Sequence, residues 1–304
     1  MQRALLALFA AFMVSMIAVA QPAWAQPASA DPVLAAPERQ VSPHSWMISG
    51  YPNVYIIVGA KGTLVVDTGL GTPNGKHVSD VARRLSRTPK LYLAVTHEHP
   101  EHGAGYGGFP AGTFVIRSRA QQDDVDRVAP AMVERFKQRS ATWSALLEGA
   151  SFGAADAIFD KEYRLDLGDV HVRMMAVPPA HTNGDVLFLV EEDRALITGD
   201  IVQNRSVTNL TGANATIANW VQAIDQAGST GATLILPAHT PQGGAELVGV
   251  NRAFLLDVQA RAKAAKKQGK DAAALETELR AAYPDWQNSQ NFRGLATKAL
   301  SEAS

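Results

Sequence analysis

Residues 94–104 read AVTHEHPEHGA. His97, His99 and His102 fall within this short stretch, interleaved with Glu98 and Glu101, directly after an apolar run. The whole chain has 8 histidines, so such a cluster is not a matter of composition. Two histidines one residue apart converge on a cation from a tight loop. A third, three residues on, faces a second cation from the start of a helix. Neutral imidazole is a common zinc ligand. Three later stretches carry the same residue types: His181 in PPAHTNGD, Asp200 in ITGD and His239 in LPAHT. These five histidines with Glu101 and Asp200 suffice for two cations, with Asp200 as the bridging carboxylate. A water held between two such cations has its pKa lowered towards neutrality.

The rest of the composition narrows the chemistry. The chain has 304 residues, a formal net charge of −1 and no cysteine. Disulfides, thiolate metal sites and a cysteine nucleophile are excluded. A site built from His, Asp and Glu suits zinc, manganese or iron better than copper(I). No basic excess points to a nucleic-acid partner; a small-molecule substrate is expected, and the sequence sets no oligomeric state.

The elements that must position these residues follow from the apolar pattern. NVYIIVG and GTLVVDTG form a hairpin. Val78, Val81, Ala82 and Leu85 recur at helical spacing. KLYLAVT is a buried strand that stops at the histidine cluster, and TFVIRS is the next strand. Residues 121–148 read as helical. YRLDLGDVHVRMMAV and DVLFLVEEDRALITGD are hairpins, a short helix covers 219–227, ATLILPAH is a strand, and the chain is mostly helical from Glu246 onward. His97, Asp200 and His239 each come directly after a strand, and His181 a few residues after one. Loops at strand ends are where a rigid scaffold presents function. Interleaved strands and helices suit a layered α/β sandwich.

The N-terminus has Arg3, an apolar stretch over 4–20 and a small-x-small site at Ala23-Trp24-Ala25. It reads as a signal peptide over 1–25 rather than a retained anchor, which places the mature protein in a periplasm with no membrane span. The Pro- and Ala-rich residues 26–40 read as a flexible leader. A catalytic domain over 41–248 and a C-terminal helical extension over 249–304 complete the expected organisation.

HEHPEH follows the H-x-H-x-D-H motif of the metallo-β-lactamase fold family of metallohydrolases, except that Glu101 stands at the fifth position. The DTG at 67–69 matches that family's early strand-end motif. His181, Asp200 and His239 stand where its later histidine, bridging aspartate and final histidine fall. The chain therefore resembles this family over residues 54–240. The resemblance implies a four-layer αββα sandwich with two zinc ions per chain. Site one would be His97, His99 and His181, site two Glu101, His102 and His239, with Asp200 bridging. It implies a hydrolase whose metal-bound hydroxide attacks a small ester, lactone, thioester or β-lactam. Glu101 and Asp200 would be the catalytic carboxylates, Glu101 holding or accepting a proton. Asp67 would hydrogen-bond to the motif loop rather than ligate, with Thr182 and Asp185 in similar supporting roles.

Glu101 leaves two outcomes open. One methylene longer than aspartate, it either still reaches the second metal, at lower affinity, or withdraws and leaves a one-metal enzyme. Two other functions use the same residues: mononuclear iron chemistry of the sulfur-dioxygenase type, and a secreted binding protein that metal merely stabilises. In the resemblance, His99 stands where electron-transfer di-iron relatives have a glutamate, which speaks against that redox branch.

Weaker signals concern the substrate groove. Trp46, Met47 and Tyr51 flank the first hairpin, where a flap over the groove is expected. Trp143 and Phe152, in and after the 121–148 segment, are candidate apolar contacts. Arg205 is a candidate partner for a substrate carboxylate. His44, His77 and His171 fit no ligand position, and the basic run RAKAAKKQGK reads as a solvated helix face.

Overall fold

A computed structural model describes residues 31–207 and 209–304. The expected signal peptide and the first residues of the leader lie outside them.

The first half of the chain builds one sheet. Strands β1 (Glu38–Ser42), β2 (Ser45–Ile48), β3 (Val54–Val58) and β4 (Thr63–Val66) pair antiparallel in sequence order. Helix α1 (Gly71–Leu85) then crosses to β5 (Leu91–Ala94), parallel to β4. After the short α2 (Pro100–Gly103), β6 (Phe114–Ser118) lies parallel to β5. Helices α3 (Arg119–Arg127), α4 (Ala129–Lys137) and α5 (Ala141–Leu146) lead to β7 (Ala157–Phe159), parallel to β6.

The second half builds the other sheet. Strands β8 (Glu162–Asp166), β9 (His171–Ala176), β10 (Val186–Val190) and β11 (Ala195–Gly199) form an antiparallel meander. Helix α6 (Ile217–Ser229) crosses to β12 (Leu234–Pro237), parallel to β11, and β13 (Gly243–Gly244) closes the edge. Helices α7 (Glu246–Lys267), α8 (Ala272–Ala282) and α9 (Phe292–Glu302) end the chain.

Strand alternation explains the layers. In β3, Tyr55 and Ile57 face Phe188, Ile197 and Leu236 across the space between the sheets. Val54, Ile56 and Val58 point the other way, onto Val78, Val81 and Ala82 of α1. In β10, Phe188 faces the first sheet while Leu187 and Leu189 pack outward with Trp220 and Ile224 of α6 and Phe254 and Val258 of α7. Both faces of each central strand are covered, so these strands read as unbroken apolar runs rather than as alternation. The result is the expected αββα sandwich.

Three expectations change. The helical reading of 121–148 resolves into α3, α4 and α5: Pro130 sits in the first turn of α4, and the Ser140 side chain accepts the Trp143 N–H and starts α5. Proline is tolerated at a helix start but ends the helix before it. The leader is not flexible up to residue 40. Leu34 is buried, its N–H donates to Asn74 Oδ1 at 2.9 Å, and β1 begins at Glu38. Leu34 fits because Gly50 and Gly69 leave the space: a Cβ on Gly50 would come within 2.2 Å of the leucine side chain. The boundary expected between 248 and 249 falls inside α7, and the extension supplies much of the outer helical layer through Phe254, Val258, Leu275, Leu279, Phe292 and Leu295. Burying side chains of this size contributes about 1.5–3 kcal/mol each, so the extension belongs to the domain.

Among the described residues, no helix is long and apolar enough to cross a membrane.

Candidate metal centre

The site forms because parallel neighbours end at the same edge. Strands β4 and β5 deliver Asp67 and the 97–102 loop there, and β11 and β12 deliver Asp200 and His239. The two sheets are tied at this edge. Asn53 N donates to Ala238 O at 2.7 Å, Tyr55 Oη to Pro237 O at 2.8 Å, and Val186 N to Thr96 O at 2.9 Å. Gly199, just before Asp200, has φ +52 and approaches Thr96 so closely that a Cβ would sit 2.7 Å from that residue's own Cβ. Glycine is the residue that adopts this conformation without penalty.

Four of the histidines, His97, His99, His102 and His181, are each held by one ring nitrogen and offer the other, while the buried Nδ1 of His239 has no hydrogen-bond partner. His102 donates from Nδ1 to Asp67 Oδ2 at 2.9 Å, and its Nε2 lies 3.2 Å from His239 Nε2. His181 donates from Nδ1 to the Asn209 carbonyl at 2.6 Å, and its Nε2 lies 3.3 Å from His99 Nδ1 and 3.3 Å from Asp200 Oδ2. His99 places Nε2 at 3.1 Å from Thr211 Oγ1, so Nδ1 is its free nitrogen. His97 has Nδ1 3.2 Å from Thr96 Oγ1, while its buried Nε2 has no hydrogen-bond partner. Asp200 reaches both sides: its Oδ1 lies 3.3 Å from His239 Nε2.

These distances fit a cation. Two ligand nitrogens on one tetrahedral zinc, each at about 2.0–2.1 Å, stand about 3.3 Å apart. The buried, unpartnered His97 Nε2 and the close approach of His102 Nε2 to His239 Nε2 are what a cation would satisfy. His97, His99 and His181 form one group whose ligand atoms lie within 4.8 Å of one another, and Glu101, His102 and His239 form a second. His97, His102 and Asp200 form a third within the same limit, which places Asp200 between the two. Glu101 therefore reaches the second group. It is buried, one oxygen has no partner, and the other lies 3.5 Å from Tyr51 Oη.

Electrostatics separates the ligands. Burial, reinforced by neighbouring imidazoles, pushes His97 and His99 well below the ordinary histidine range and His239 to about 4. Burial opposes the charge on His102 too, but the Asp67 carboxylate outweighs it and holds His102 at about 9. Burial would raise Asp200, yet His239, His181 and His102 together hold it below the ordinary aspartate range. Burial raises Glu101.

Hydrogen bonds around the centre involve Asp67, Thr182 and Asp185, and also residues that the sequence did not single out. Asp67, itself at φ +70, also accepts Thr96 N at 2.7 Å. Asp185 accepts Thr182 N at 2.8 Å and Thr182 Oγ1 at 2.9 Å, which shapes the turn after His181. Gln203 escaped the sequence reading. Its Nε2 donates to Asp200 Oδ1 at 3.1 Å, and its Oε1 accepts His239 N at 3.3 Å, so one amide couples two ligands. Trp220 Nε1 donates to Ile201 O at 2.9 Å and pins the Asp200 loop. A polar residue three positions after Asp200 is the only sequence trace of Gln203, and an indole on a helix far along the chain leaves none.

A cavity of about 320 Å³ opens over this centre. Tyr51 lines it, and its ring lies 4.5 Å from that of His239. Trp143 stands behind Tyr51 at 5.6 Å, backing the wall without lining it. Trp46 does not belong to it: on β2 it packs with the layer that holds α1, because neighbouring β2 side chains alternate and Met47 takes the inter-sheet side. Phe152 packs with Leu70, Met132 and Leu147. Arg205 points elsewhere, into a separate depression with Phe254, Asp257 and Trp286. The arginines of the cavity are Arg135 and Arg139, and its outer wall includes Asn288, Gln290 and Asn291 from the C-terminal extension. The remaining histidines are paired or peripheral: His44 with Asp193 at 2.6 Å and His171 with Glu192 at 2.7 Å, while His77 lies on α1. The basic run is a solvated face in which Arg261 pairs with Asp257.

Comparison with known proteins gives consistent results. The model of the metallo-beta-lactamase superfamily matches residues 48–239. An atrochrysone carboxyl ACP thioesterase from Aspergillus terreus is 25% identical over 189 residues, 62% of this chain and 48% of that protein. The chain thus spans about half the length of the curated relatives it matches. Among solved structures, the stereoselective inverting sec-alkylsulfatase Pisa1 from Pseudomonas sp. superposes with a TM-score of 0.66 at 14% identity, over 88% of this chain and 49% of that one. The metallo-beta-lactamase FIM-1 from Pseudomonas aeruginosa, in its mono-zinc form, gives 0.57 at 19% identity, over 75% and 97%. At such identities the structural likeness speaks for the fold.

Proposed function

This chain belongs to the metallo-β-lactamase superfamily of metal-dependent hydrolases, and from that premise we propose that it is an exported, zinc-dependent enzyme that cleaves a small ester or thioester. The carrying observation is the convergence of free ring nitrogens: His102 Nε2 with His239 Nε2 at 3.2 Å, and His181 Nε2 with His99 Nδ1 at 3.3 Å, on either side of Asp200. His97, His99 and His181 would hold one zinc, Glu101, His102 and His239 a second, and Asp200 both. Bound there, the metals supply Lewis acidity and lower the pKa of the attacking water.

The chain's own residues do the rest. Asp67, the Asn209 carbonyl and Thr211 set which nitrogen of His102, His181 and His99 is free, so the ligands need no rearrangement. Asp200 stays ionised between the two groups, oriented by Gln203. The Glu101 carboxylate holds or accepts the proton given up by the attacking water. Tyr51, kept neutral by burial, presents its hydroxyl beside Glu101 as a donor to a substrate oxygen. The small cavity favours a compact substrate, and the thioesterase relatives support an acyl bond. Export rests on the N-terminal sequence of residues 1–25.

The test is metal content together with turnover of a panel of thioesters, esters, lactones and β-lactams. Two zinc per chain, turnover of an ester or thioester, and loss of that turnover in His97→Ala are expected. Fewer than one metal per chain with a rate that His97→Ala leaves alone would sink the proposal. Iron with oxygen consumption would move the chain to dioxygenase-type chemistry.

A further inference from the structure

Two guanidinium groups line the metal cavity without an acidic partner. Arg135 and Arg139 lie in and just after the last turn of α4, the helix that separates the two ligand clusters in sequence. Neither makes an ion pair among the described residues, whereas the nearby Lys137 pairs with Glu134 at 2.7 Å. Arg139 is held in place by aromatic rings. Its guanidinium lies 3.6 Å from the Phe136 ring centre and 4.5 Å from that of Trp143, and Trp143 in turn packs on Tyr51 at 5.6 Å. Cation–π contacts of this kind hold a guanidinium by its face and leave its N–H edge for hydrogen bonds, and part of the Arg139 edge is used on the Tyr51 hydroxyl.

The two groups act on different ends of the centre. Arg135 is close enough to His99 to disfavour its protonation, and Arg139 acts on Tyr51, Glu101 and His239. Among the described residues, the carboxylates that line the cavity are Glu101 and Asp200, both of them ligand candidates. With those committed to metal, the open part of the cavity is cationic in a chain whose net charge is −1.

We propose that Arg135 and Arg139 form an anion subsite, so that the enzyme prefers substrates with a carboxylate or a phosphate-type group near the scissile acyl bond. Arginine is suited to both, because its planar fork matches either oxyanion through two parallel hydrogen bonds. The inference rests on the hydrolase reading and names the substrate class of that same site. The subsite acts by binding, so its loss raises KM more than it lowers kcat.

The experiment compares three matched thioesters on the metal-loaded protein: one with a terminal carboxylate, its carboxamide isostere, and a phosphonate version. The wild type is expected to favour an anionic substrate over the carboxamide by about tenfold or more in kcat/KM. That ratio should collapse towards one in the Arg135→Gln/Arg139→Gln double variant, shrink at high ionic strength, and recover in part when both positions are lysine. A second readout needs no turnover: glutarate or inorganic phosphate should raise the melting temperature of chelator-treated wild-type protein more than that of the double variant. An equal preference in wild type and double variant, or none in the wild type, overturns the subsite. Turnover of no substrate, with anion stabilisation that still requires the arginines, would leave the subsite standing and remove the hydrolase reading.

Discussion

The imidazole of His102 and the carboxylate of Asp67 lie 2.9 Å apart, both inside the protein, Asp67 just after β4 and His102 on the short α2. This pair joins the two early motifs into one device. Asp67 accepts the Nδ1 proton and so presents Nε2 to the centre. Replacing Asp67 by Asn removes the charge and offers an amide whose N–H₂ confronts a donor. Metal titration of Asp67→Asn is expected to show second-site affinity weaker by about 10–100-fold. Unchanged affinity would deny Asp67 this role.

Glu101 reaches the second ligand group, with one oxygen near Tyr51 and the other buried without a partner. The longer side chain has one more rotor to immobilise than aspartate, at a cost of order 0.5–1 kcal/mol. Glu101→Asp is therefore expected to bind the second metal a few-fold more tightly, and Glu101→Ala to retain a single equivalent. Equilibrium dialysis counts both. Equal or weaker binding by Glu101→Asp contradicts the argument.

Gly75 lies on the face of α1 that meets the turn after His102. A Cβ at that position would fall 1.8 Å from the Gly105 carbonyl oxygen. The obstacle is backbone, so no rotamer change relieves it. Gly75→Ala is expected to lose at least about 1–3 kcal/mol by overpacking, despite alanine's better helix propensity. Chemical denaturation reads the loss, and a neutral or stabilised variant would show that the turn yields freely.

Asp257 on α7 accepts Arg261 Nε at 2.6 Å and Tyr283 Oη at 2.7 Å, tying the helix to the segment that carries Asn288 to the cavity. Burial opposes its charge, but these two donors outweigh it and hold its pKa below the ordinary aspartate range. A depressed carboxyl contributes stability above its unfolded pKa, and the contribution disappears as pH falls through the folded value. The side chain is about a third exposed, so screening keeps the gain near 0.5 kcal/mol. Asp257→Asn should be less stable than wild type by that amount at pH 7, and the gap should close as pH falls through the lowered folded pKa of Asp257. A gap that persists in acid would mean that packing, not charge, makes the tie.

Much of the fold was legible because its signals are local. An apolar run with β-branched residues between turn formers marks a strand wherever it occurs, and the hairpins, crossovers and terminal helices follow that rule. What misled was context. Leu34 lies in a Pro- and Ala-rich stretch with no periodicity, yet two distant glycines make room for it. Trp46 and Met47 look alike as flap candidates, and the pleat of β2 sends them to opposite faces. Arg205 drew attention by its nearness to Asp200 in sequence but faces another depression, while Arg135 and Arg139, some sixty residues before Asp200, line the cavity.

The sequence by itself determined which residues have metal-binding chemistry and that His97, Asp200 and His239 directly follow strands, because residue type and strand punctuation are properties of short segments. Tertiary structure alone decided that Glu101 reaches the second group, that Gln203 couples Asp200 to His239, and that guanidinium and amide groups wall the cavity. Those facts depend on how two sheets with parallel strand pairs bring distant loops to one edge. Distances across that edge are set by packing, which no single segment encodes.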